Sequence, residues 1–220
     1  MFFKKQLKLV FGLLRWLFQT VGLLFIFFIL LRIFVFHPFL IDGNSMEPNF
    51  HNNEYLLVDK ISYKFREPRR GEVIIFHPPH KSDYYIKRII ALPGEKVVIK
   101  EGRVYISNKD VPTGLPLSEP YLPPDTKTAG EIVQTLHKDE YFVLGDNRNH
   151  SVDSREFGVV PKKNISGRAF FVILPFSNFG FVHPVSYPQF ESTLGSFFAS
   201  HSLCLGFAIK EGEIPKRNPS

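Results

Sequence analysis

Ser45 and Lys87 are the side chains in this sequence best placed to do chemistry together. Ser45 lies in the turn-forming stretch GNSMEP, and Lys87 lies in the largely apolar stretch DYYIKRIIAL. A serine hydroxyl becomes a nucleophile when a neighbouring base takes its proton, and a lysine can be that base if its amine is neutral. Burial in apolar surroundings favours the neutral amine, because desolvation penalises the charged form.

The stretch around Lys87 has the alternation of a β-strand, which would place Lys87 and Arg88 on opposite faces. Both faces are otherwise largely apolar. One of the two cations must then contact an apolar surface or pair with an acid, and only the lysine can lose its proton there. The alternative is an edge strand that carries two solvated cations, and the pattern alone favours that alternative.

A third stretch, GDNRNHSVDSREFG, is dense in charges and hydroxyls. Asp146 and Arg148 are spaced for a local ion pair or an Asx-turn bond, and the same spacing recurs at Asp153 and Arg155. Ser151 could donate a hydrogen bond to a neighbouring group. By composition alone, a solvated loop is the simpler interpretation.

Two other kinds of site are disfavoured. GNSME nearly matches the Gly-x-Ser-x-Gly nucleophile elbow, but Glu47 stands where glycine is required and Pro48 disfavours the helix that should follow. Cys204 is the single cysteine, and the eight histidines show no His-Glu-x-x-His spacing, so we predict no metal site and no cofactor.

The N-terminal segment has the pattern of a membrane anchor. Residues 16–31 carry no charge, and the apolar stretch continues past Arg32 to Phe36. A helix over 16–36 would span about 31 Å, close to the hydrocarbon thickness of a bilayer. A cleavable signal peptide is less favoured, because the first small-x-small sequence lies as far downstream as 43–45. A buried core helix is the weakest alternative, since a chain of 220 residues offers little to bury it.

The basic residues are concentrated before and within this segment. The first 36 residues contain five of the net +6 charges and no acid, so the rest of the chain carries +1. These residues are Lys4, Lys5, Lys8, Arg15 and Arg32. The bias predicts a cytoplasmic N-terminus with the remaining chain outside, and it gives no support to a nucleic-acid partner.

Beyond the anchor the sequence predicts an antiparallel β domain. Short runs rich in β-branched and aromatic residues alternate with turn residues, and a hairpin is expected around Glu101-Gly102. The predicted strands lie within 55–63, 71–79, 84–92, 95–100, 103–108, 140–147 and 167–174. Residues 109–135, rich in Pro, Thr and Gly, are predicted to form a long loop or an extended excursion.

The predicted organisation is therefore mainly β: a transmembrane helix followed by an antiparallel β-sheet domain. Its parts are a basic N-terminus at 1–15, an anchor at 16–36, a β domain at 37–178 and a tail of unknown role at 179–220. Within the tail, 192–209 is thin for a second span, and a surface helix or a disordered tail is favoured there.

Four stretches in order, GNSMEP, RRGEVIIF, YYIKRIIALPGE and GDNRNHSVDSREFG, resemble the motifs of the type I signal peptidases. These are membrane-anchored Ser-Lys endopeptidases that remove signal peptides from exported preproteins. The resemblance covers roughly residues 10–175 and implies cleavage after small-x-small sites, usually Ala-x-Ala, at the outer surface of the plasma membrane. The partners that it implies are preprotein signal peptides, the lipid bilayer and the secretion translocase.

The resemblance also assigns roles to residues. It makes Ser45 the nucleophile and its backbone N–H the first oxyanion donor. Lys87 becomes the general base, Ser151 orients the lysine amine, and Tyr85 and Phe76 help to bury it.

Two structural pairs follow from the same motifs. Asp153 and Arg155 form one pair beside the site, and Asp146 pairs with Arg88.

The sequence also departs from the family pattern. Some members have a serine two residues before the nucleophile as a second oxyanion donor, where this chain has Gly43. The usual GDNRDNS is GDNRNHS here, with Asn149 and His150, and we assign no catalytic role to the histidine. Met46 resembles the family residue that contacts the membrane-proximal surface.

Two other functions fit parts of the pattern. A self-cleaving Ser-Lys repressor would need an N-terminal DNA-binding domain where the anchor lies, which makes it a poor candidate. A catalytically inactive, anchored β domain that binds signal sequences or scaffolds a translocase is the alternative that only an activity assay excludes.

Overall fold

The computed structural model describes residues 2–34, 36–187 and 190. The chain divides into two units, 1–186 and 187–220, and the fold described below is that of the first.

The N-terminal helix is longer than the predicted span. Helix α1 runs over Phe2–Phe34, so it starts well before residue 16 and ends before residue 36. Its window Val10–Phe27 is long and apolar enough to cross a membrane, and none of that window is buried against the described structure. This exposure disfavours the core-helix alternative.

The described residues after α1 form short strands and two short α-helices. The strands are β1 (Phe36–Leu40), β2 (Tyr55–Asp59), β3 (Val73–Phe76), β4 (Tyr85–Ala91), β5 (Lys96–Lys100), β6 (Arg103–Ser107), β7 (Leu115–Pro116), β8 (Ile132–Thr135), β9 (Glu140–Leu144), β10 (Val160–Pro161), β11 (Ile165–Leu174) and β12 (Gly180–Phe181). The helices are α2 (Ser62–Phe65) and α3 (Ser154–Phe157).

These strands form two antiparallel sheets. The large sheet has eight strands in the order β1-β2-β11-β3-β4-β9-β10, and β12 also pairs with β11. The small sheet has four strands in the order β7-β6-β5-β8. The mainly β, antiparallel fold after an N-terminal apolar helix is the one that the sequence predicts.

Apolar side chains cover both faces of the large sheet, as the alternation along β3 illustrates. Val73 and Ile75 belong to one cluster, and Ile74 and Phe76 belong to the other. Strand β3 is buried at all four positions, which is why its sequence, VIIF, is a continuous apolar run. Strand β4 lies beside it and carries the candidate base inside the sheet.

Some local predictions are confirmed and others are wrong. The hairpin between β5 and β6 turns at Glu101 and Gly102, whose φ angles of 53° and 76° suit a tight turn. Within the segment 109–135, expected as a long loop or an extended excursion, the short strands β7 and β8 complete the small sheet, and the sequence pattern does not mark them as strands.

The ends of the β domain also differ from prediction. Strand β1 is not among the predicted strands, and β12 pairs with β11 beyond the expected boundary at residue 178. The segment 192–209, considered as a second span, lies outside the described residues.

Candidate active site

Ser45 lies in the turn between β1 and β2, and two buried apolar side chains fix that turn. The N–H groups of Asn49 and Phe50 donate to the carbonyl of Met46 over 3.1 and 3.0 Å. Met46 and Phe50 are 1% and 5% exposed and belong to the apolar cluster on one face of the large sheet. The expectation that Met46 contacts a membrane-proximal surface is therefore wrong, because its side chain anchors the turn in the core.

Lys87 meets Ser45 from the middle of the large sheet. Strand β4 lies between β3 and β9, and Lys87 is only 3% exposed, so the edge-strand alternative does not hold. The Nζ atom of Lys87 lies 2.6 Å from Oγ of Ser45 and donates to the carbonyl of Ile86 over 2.8 Å. The nucleophile and base suggested by the sequence are thus within hydrogen-bond distance.

Burial controls the protonation of this amine. It lowers the pKa of Lys87 from 10.5 to about 8, although the carboxylates of Asp153 and Asp146 act in the opposite direction. A lysine with this pKa is partly neutral just above pH 7, which is what a general base requires.

Aromatic side chains form part of the surroundings of the amine. The Nζ atom of Lys87 lies 5.5 Å from the centroid of the Tyr85 ring. Phe76 pairs with Tyr85 across β3 and β4, and its fully buried ring packs edge-on against the tyrosine with centroids 6.4 Å apart. Phe76 thus supports the residue that covers the lysine.

The loop of residues 145–155, here called the catalytic loop, holds the backbone of the nucleophile. The N–H of Asn147 donates to the carbonyl of Ser45 over 3.0 Å, and its side-chain amide donates to the carbonyl of Asn44 over 3.0 Å. At Gly145 a Cβ atom would collide with the side chain of Ser151 and with the carbonyl oxygen of Ser45. The close approach of loop and turn therefore requires glycine at this position.

Ser151 lies against Gly145. Its Oγ atom is buried and makes no close hydrogen bond among the described residues, although its hydroxyl helps to lower the pKa of Asp153. The structure thus brings Ser151 to the site without a bond to Lys87, and its orienting role stays a prediction.

Asp153 and Arg155 form the predicted pair and also shape the catalytic loop. The guanidinium of Arg155 donates to the Asp153 carboxylate over 2.8 and 2.9 Å, and the N–H of Gly145 donates to the same carboxylate over 3.0 Å. Asp153 also caps α3. Burial alone would raise the pKa of Asp153, but these hydrogen bonds outweigh it and hold the pKa below its ordinary value.

Asp146 and Arg88 form the second predicted pair. Nε and one terminal nitrogen of Arg88 donate to the two Asp146 oxygens over 2.9 and 2.6 Å. Asn49 donates to the same carboxylate over 2.9 Å, which ties the nucleophile turn to the pair. Arg148, spaced in the sequence for a local bond to Asp146, pairs with the distant Glu119 instead.

Sequence reasoning missed four residues of this network, namely Asn49, Glu119, Tyr121 and Asn147, and it missed the partner of Arg148. Glu119 and Tyr121 lie in the Pro-rich segment, where no periodic pattern marks them. Asn147 and Arg148 lie in a stretch that the sequence did single out, but their partners are remote in the chain.

The backbone N–H groups around Ser45 differ in their hydrogen bonding. Among the described residues the backbone N–H of Ser45 has no acceptor, whereas the N–H of Gly43 is engaged by Asn52 Oδ1 over 2.9 Å. The second donor therefore has to come from another group.

An open cleft leads to Ser45 and Lys87. It is lined by Phe39 and Leu40 of β1, by Tyr84 and Tyr85 of the β4 region and by the residues around Ser45. Strand β1 lies at the edge of the large sheet, so its outer side can pair with an extended peptide.

Comparison with known proteins gives a consistent result. The family model described as signal peptidase, peptidase S26, matches residues 13–174. Signal peptidase I of Leptolyngbya laminosa is 41% identical over 176 residues, which are 76% of this chain and 82% of that protein. Signal peptidase I of Bacillus licheniformis is 38% identical over 159 residues, 68% of this chain and 82% of that protein.

A solved structure is similar to part of the chain. A signal peptidase I from Enterococcus faecalis is 30% identical and covers 47% of this chain and 97% of its own, with a TM-score of 0.40. The family resemblance drawn from the motifs is confirmed by the family model and the sequence relatives.

Proposed function

This chain belongs to the signal peptidase I family of serine endopeptidases, peptidase S26, and we propose that Ser45 and Lys87 are its catalytic dyad. The observation that carries the proposal is the 2.6 Å separation between Lys87 Nζ and Ser45 Oγ. The amine is buried within a sheet, and its pKa is lowered to about 8. Preproteins with signal peptides are the substrates that the family implies.

The reaction follows from the geometry. Oγ of Ser45 attacks the scissile carbonyl while Lys87 takes its proton, and the Ser45 N–H donates to the oxyanion. The protonated lysine then gives the proton to the leaving amine, which leaves an acyl-enzyme on Ser45. Lys87, neutral again, deprotonates the water that attacks this ester, and it then returns that proton to Oγ of Ser45 as the acid product leaves. Ser151, which lies in the catalytic loop against Gly145, is proposed to orient the amine during these steps.

The cleft favours an extended substrate with small side chains. A peptide paired with the edge of β1 would alternate its side chains, so residues at P1 and P3 would face the same wall. Phe39, Tyr84 and Tyr85 line that cleft and would limit the size of the side chains that face them. Cleavage is therefore expected after Ala-x-Ala and similar sequences. Efficient cleavage after a large or charged P1 residue would contradict this specificity.

Helix α1 is proposed as an uncleaved, single-pass anchor in the plasma membrane. The basic residues at its N-terminal end support a cytoplasmic location for that end, with the β domain on the outer side, next to the lipid bilayer. A protease added to spheroplasts should digest the β domain and leave the N-terminal lysines intact. Protection of the β domain from the protease would contradict the proposed orientation. The secretion translocase stays a predicted partner.

The decisive experiment is cleavage of a purified preprotein by the detergent-solubilised protein, followed by N-terminal sequencing of the product. Ser45→Ala and Lys87→Ala should each abolish the new N-terminus. Lys100→Ala, which removes an exposed lysine at the end of β5, is the matched control and should cleave at the parental rate. An inactive scaffold would yield no product with any of the four proteins.

A further inference from the structure

Residues 117–128, here called the strap, lie between β7 and β8 and contact the elements that carry Ser45 and Lys87. The segment is part of the predicted loop and has no role in the chemistry described above. Its contacts nevertheless reach the nucleophile turn, the strand of the base and the catalytic loop.

Tyr121 contacts the first two of these elements. Its ring lies under the guanidinium of Arg88, 4.3 Å from the guanidinium carbon to the ring centroid. Its carbonyl accepts a hydrogen bond from the Asn49 side-chain amide over 2.9 Å, and the same amide donates to Asp146 over 2.9 Å. One strap residue therefore bridges the turn that carries Ser45 and the cation next to Lys87.

Arg148 joins the strap to the catalytic loop. Its guanidinium donates to the carboxylate of Glu119, to Thr128 Oγ1 and, over 3.0 Å, to the hydroxyl of Tyr121. Its Nε donates to the carbonyl of Gly145 over 3.0 Å. The arginine thus spans from three strap residues to the glycine that packs against Ser45.

The positive charge of Arg148 requires the partners that the strap supplies. Arg148 is 2% exposed, and a buried guanidinium requires an opposite charge and full hydrogen bonding. Burial would lower the pKa of Arg148, but the carboxylate of Glu119 more than offsets that effect and raises it. Without the strap the catalytic loop would hold an uncompensated buried cation, so the loop and the strap should become ordered together.

We propose that Tyr121 and Glu119 are positioning residues, which hold the nucleophile turn and the catalytic loop at the separation that the Ser-Lys pair needs. The strap is then part of the catalytic apparatus. The inference rests on the proposed dyad, because only a dyad that depends on a short Oγ–Nζ distance is sensitive to such positioning.

The test compares two substitutions of Tyr121 in the full-length, detergent-solubilised protein with a preprotein substrate. Tyr121→Ala removes the ring beneath Arg88, and kcat should fall about tenfold to a hundredfold, since small misplacements of reacting groups have effects of this size. KM should stay within about twofold, because strap residues do not line the cleft. Tyr121→Phe keeps the ring and loses one hydroxyl bond, so it should retain most of the activity.

Two further variants make the comparison specific. Glu119→Gln keeps the shape of the side chain but removes the charge opposite Arg148, and it should also lower kcat. Tyr105→Ala is the matched control, since Tyr105 lies on β6 of the small sheet beneath the ammonium of Lys100, 5.1 Å from its ring centroid. It should leave kcat and KM unchanged.

The pH profile separates positioning from a general loss of stability. The groups that face the Lys87 amine are Ser45, Tyr85 and the carboxylates of Asp146 and Asp153. A displaced loop would let water reach the amine, so the acid limb of kcat should move to higher pH in Tyr121→Ala and stay in place in Tyr105→Ala. A variant that is merely less stable would keep the parental limb at temperatures where it is folded.

The outcomes distinguish the two proposals. Suppose that Tyr121→Ala and Glu119→Gln fold and keep the parental kcat and acid limb, while Lys87→Ala is inactive. This result would overturn the positioning role and leave the dyad intact. An active Lys87→Ala would overturn the dyad and with it the inference. A fall in kcat for Tyr121→Ala with partial rescue in Tyr121→Phe supports the proposal.

Discussion

The two faces of strand β4 carry adjacent buried cations that differ in their hydrogen-bond partners. Lys87 and Arg88 are each 3% exposed, so both side chains are shielded from solvent to the same extent. Arg88 has a two-point hydrogen bond to the carboxylate of Asp146, whereas the hydrogen-bond partners of Lys87 among the described residues are a hydroxyl and a backbone carbonyl. Since only one of the buried cations is paired with an acid, only that one is held charged.

This difference separates a structural cation from a chemical one. A paired arginine keeps its charge and stabilises the loop that bears its partner. An unpaired lysine releases its proton more readily, because the charged amine is penalised by burial. The position of a carboxylate on one side of the sheet thus determines which of two neighbouring residues can act as a base. Four experiments test whether the contrast between Lys87 and Arg88 has these consequences.

The largest effect is expected when Lys87 is made to resemble its neighbour. In Lys87→Arg the guanidinium stays charged at every accessible pH, so kcat/KM should fall at least about a hundredfold and stay low from pH 6 to about pH 10. In the parent, kcat/KM should rise with pH through about 8, because the neutral amine is the active form. The measurement is a pH–rate profile.

The control for this profile is His150, which lines the cleft beside the dyad. His150→Ala should leave the acid limb in place. A limb that moves with this substitution, together with an active Lys87→Arg, would show that an imidazole is the base.

The second experiment removes the negative charge of Asp146, which pairs with Arg88 and not with Lys87. Asp146→Asn leaves a buried guanidinium without its counter-charge, which should lower the free energy of unfolding by about 3–5 kcal/mol. Urea unfolding measures this change. Glu67→Gln is the matched control, because the Lys162–Glu67 pair is exposed and should contribute about 0–1 kcal/mol. Equal effects of the two substitutions would contradict the importance of burial.

The third experiment tests the stability consequence of the unpaired lysine. The pKa of Lys87 is about 8 in the folded protein and 10.5 as its ordinary value, so the unfolded chain binds more protons between these limits. The contribution of Lys87 to the free energy of unfolding should therefore rise by about 3 kcal/mol as pH increases from 8 to 10.5. Relative to Lys87→Met, the parent should gain stability over this range. A difference that is independent of pH would contradict the lowered pKa.

The smallest effect is expected at Ser151. Loss of one orienting hydrogen bond is worth about 0.5–1.5 kcal/mol, so Ser151→Ala should slow cleavage a few-fold to about tenfold. The free energy of unfolding should fall by no more than about 1.5 kcal/mol, since the buried Oγ has no close hydrogen-bond partner among the described residues and loses only its weak interaction with Asp153. If cleavage remains parental at saturating and limiting substrate, Ser151 has no part in the mechanism.

The sequence predicted the parts of the fold that depend on local pattern. Strands β3, β4 and β9 are dense in β-branched and aromatic residues, and the turn at Glu101-Gly102 has a residue suited to positive φ. Strand β1 was missed because Pro38 lies within it, and proline fits a strand only where its missing N–H is not needed, such as an edge. Strands β7 and β8 are short and gain their order from pairing with β6 and β5.

The sequence predicts the site residues that lie within recognisable motifs. It does not predict the pairs whose members are remote from each other in the chain. The motifs pointed to Ser45 and Lys87, but alternation alone left open whether both cations on β4 were solvated. The partner of Arg148 could not be inferred, because Glu119 lies 29 positions away and local spacing favoured Asp146. Burial and long-range pairing are properties of the assembled sheets, which one sequence pattern does not contain.

The crowding at Gly145 has a consequence for mutational tolerance. Gly145 is not among the glycines with positive φ, so its backbone conformation would accept any residue type. The space alone excludes them, and one wall of that space is the carbonyl oxygen of Ser45. A smaller side chain at position 151 could relieve the collision with Ser151. The collision with the backbone carbonyl of residue 45 would remain, because every amino acid has that carbonyl. Suppressor selections that start from Gly145→Ala should therefore return the original glycine far more often than any second-site substitution.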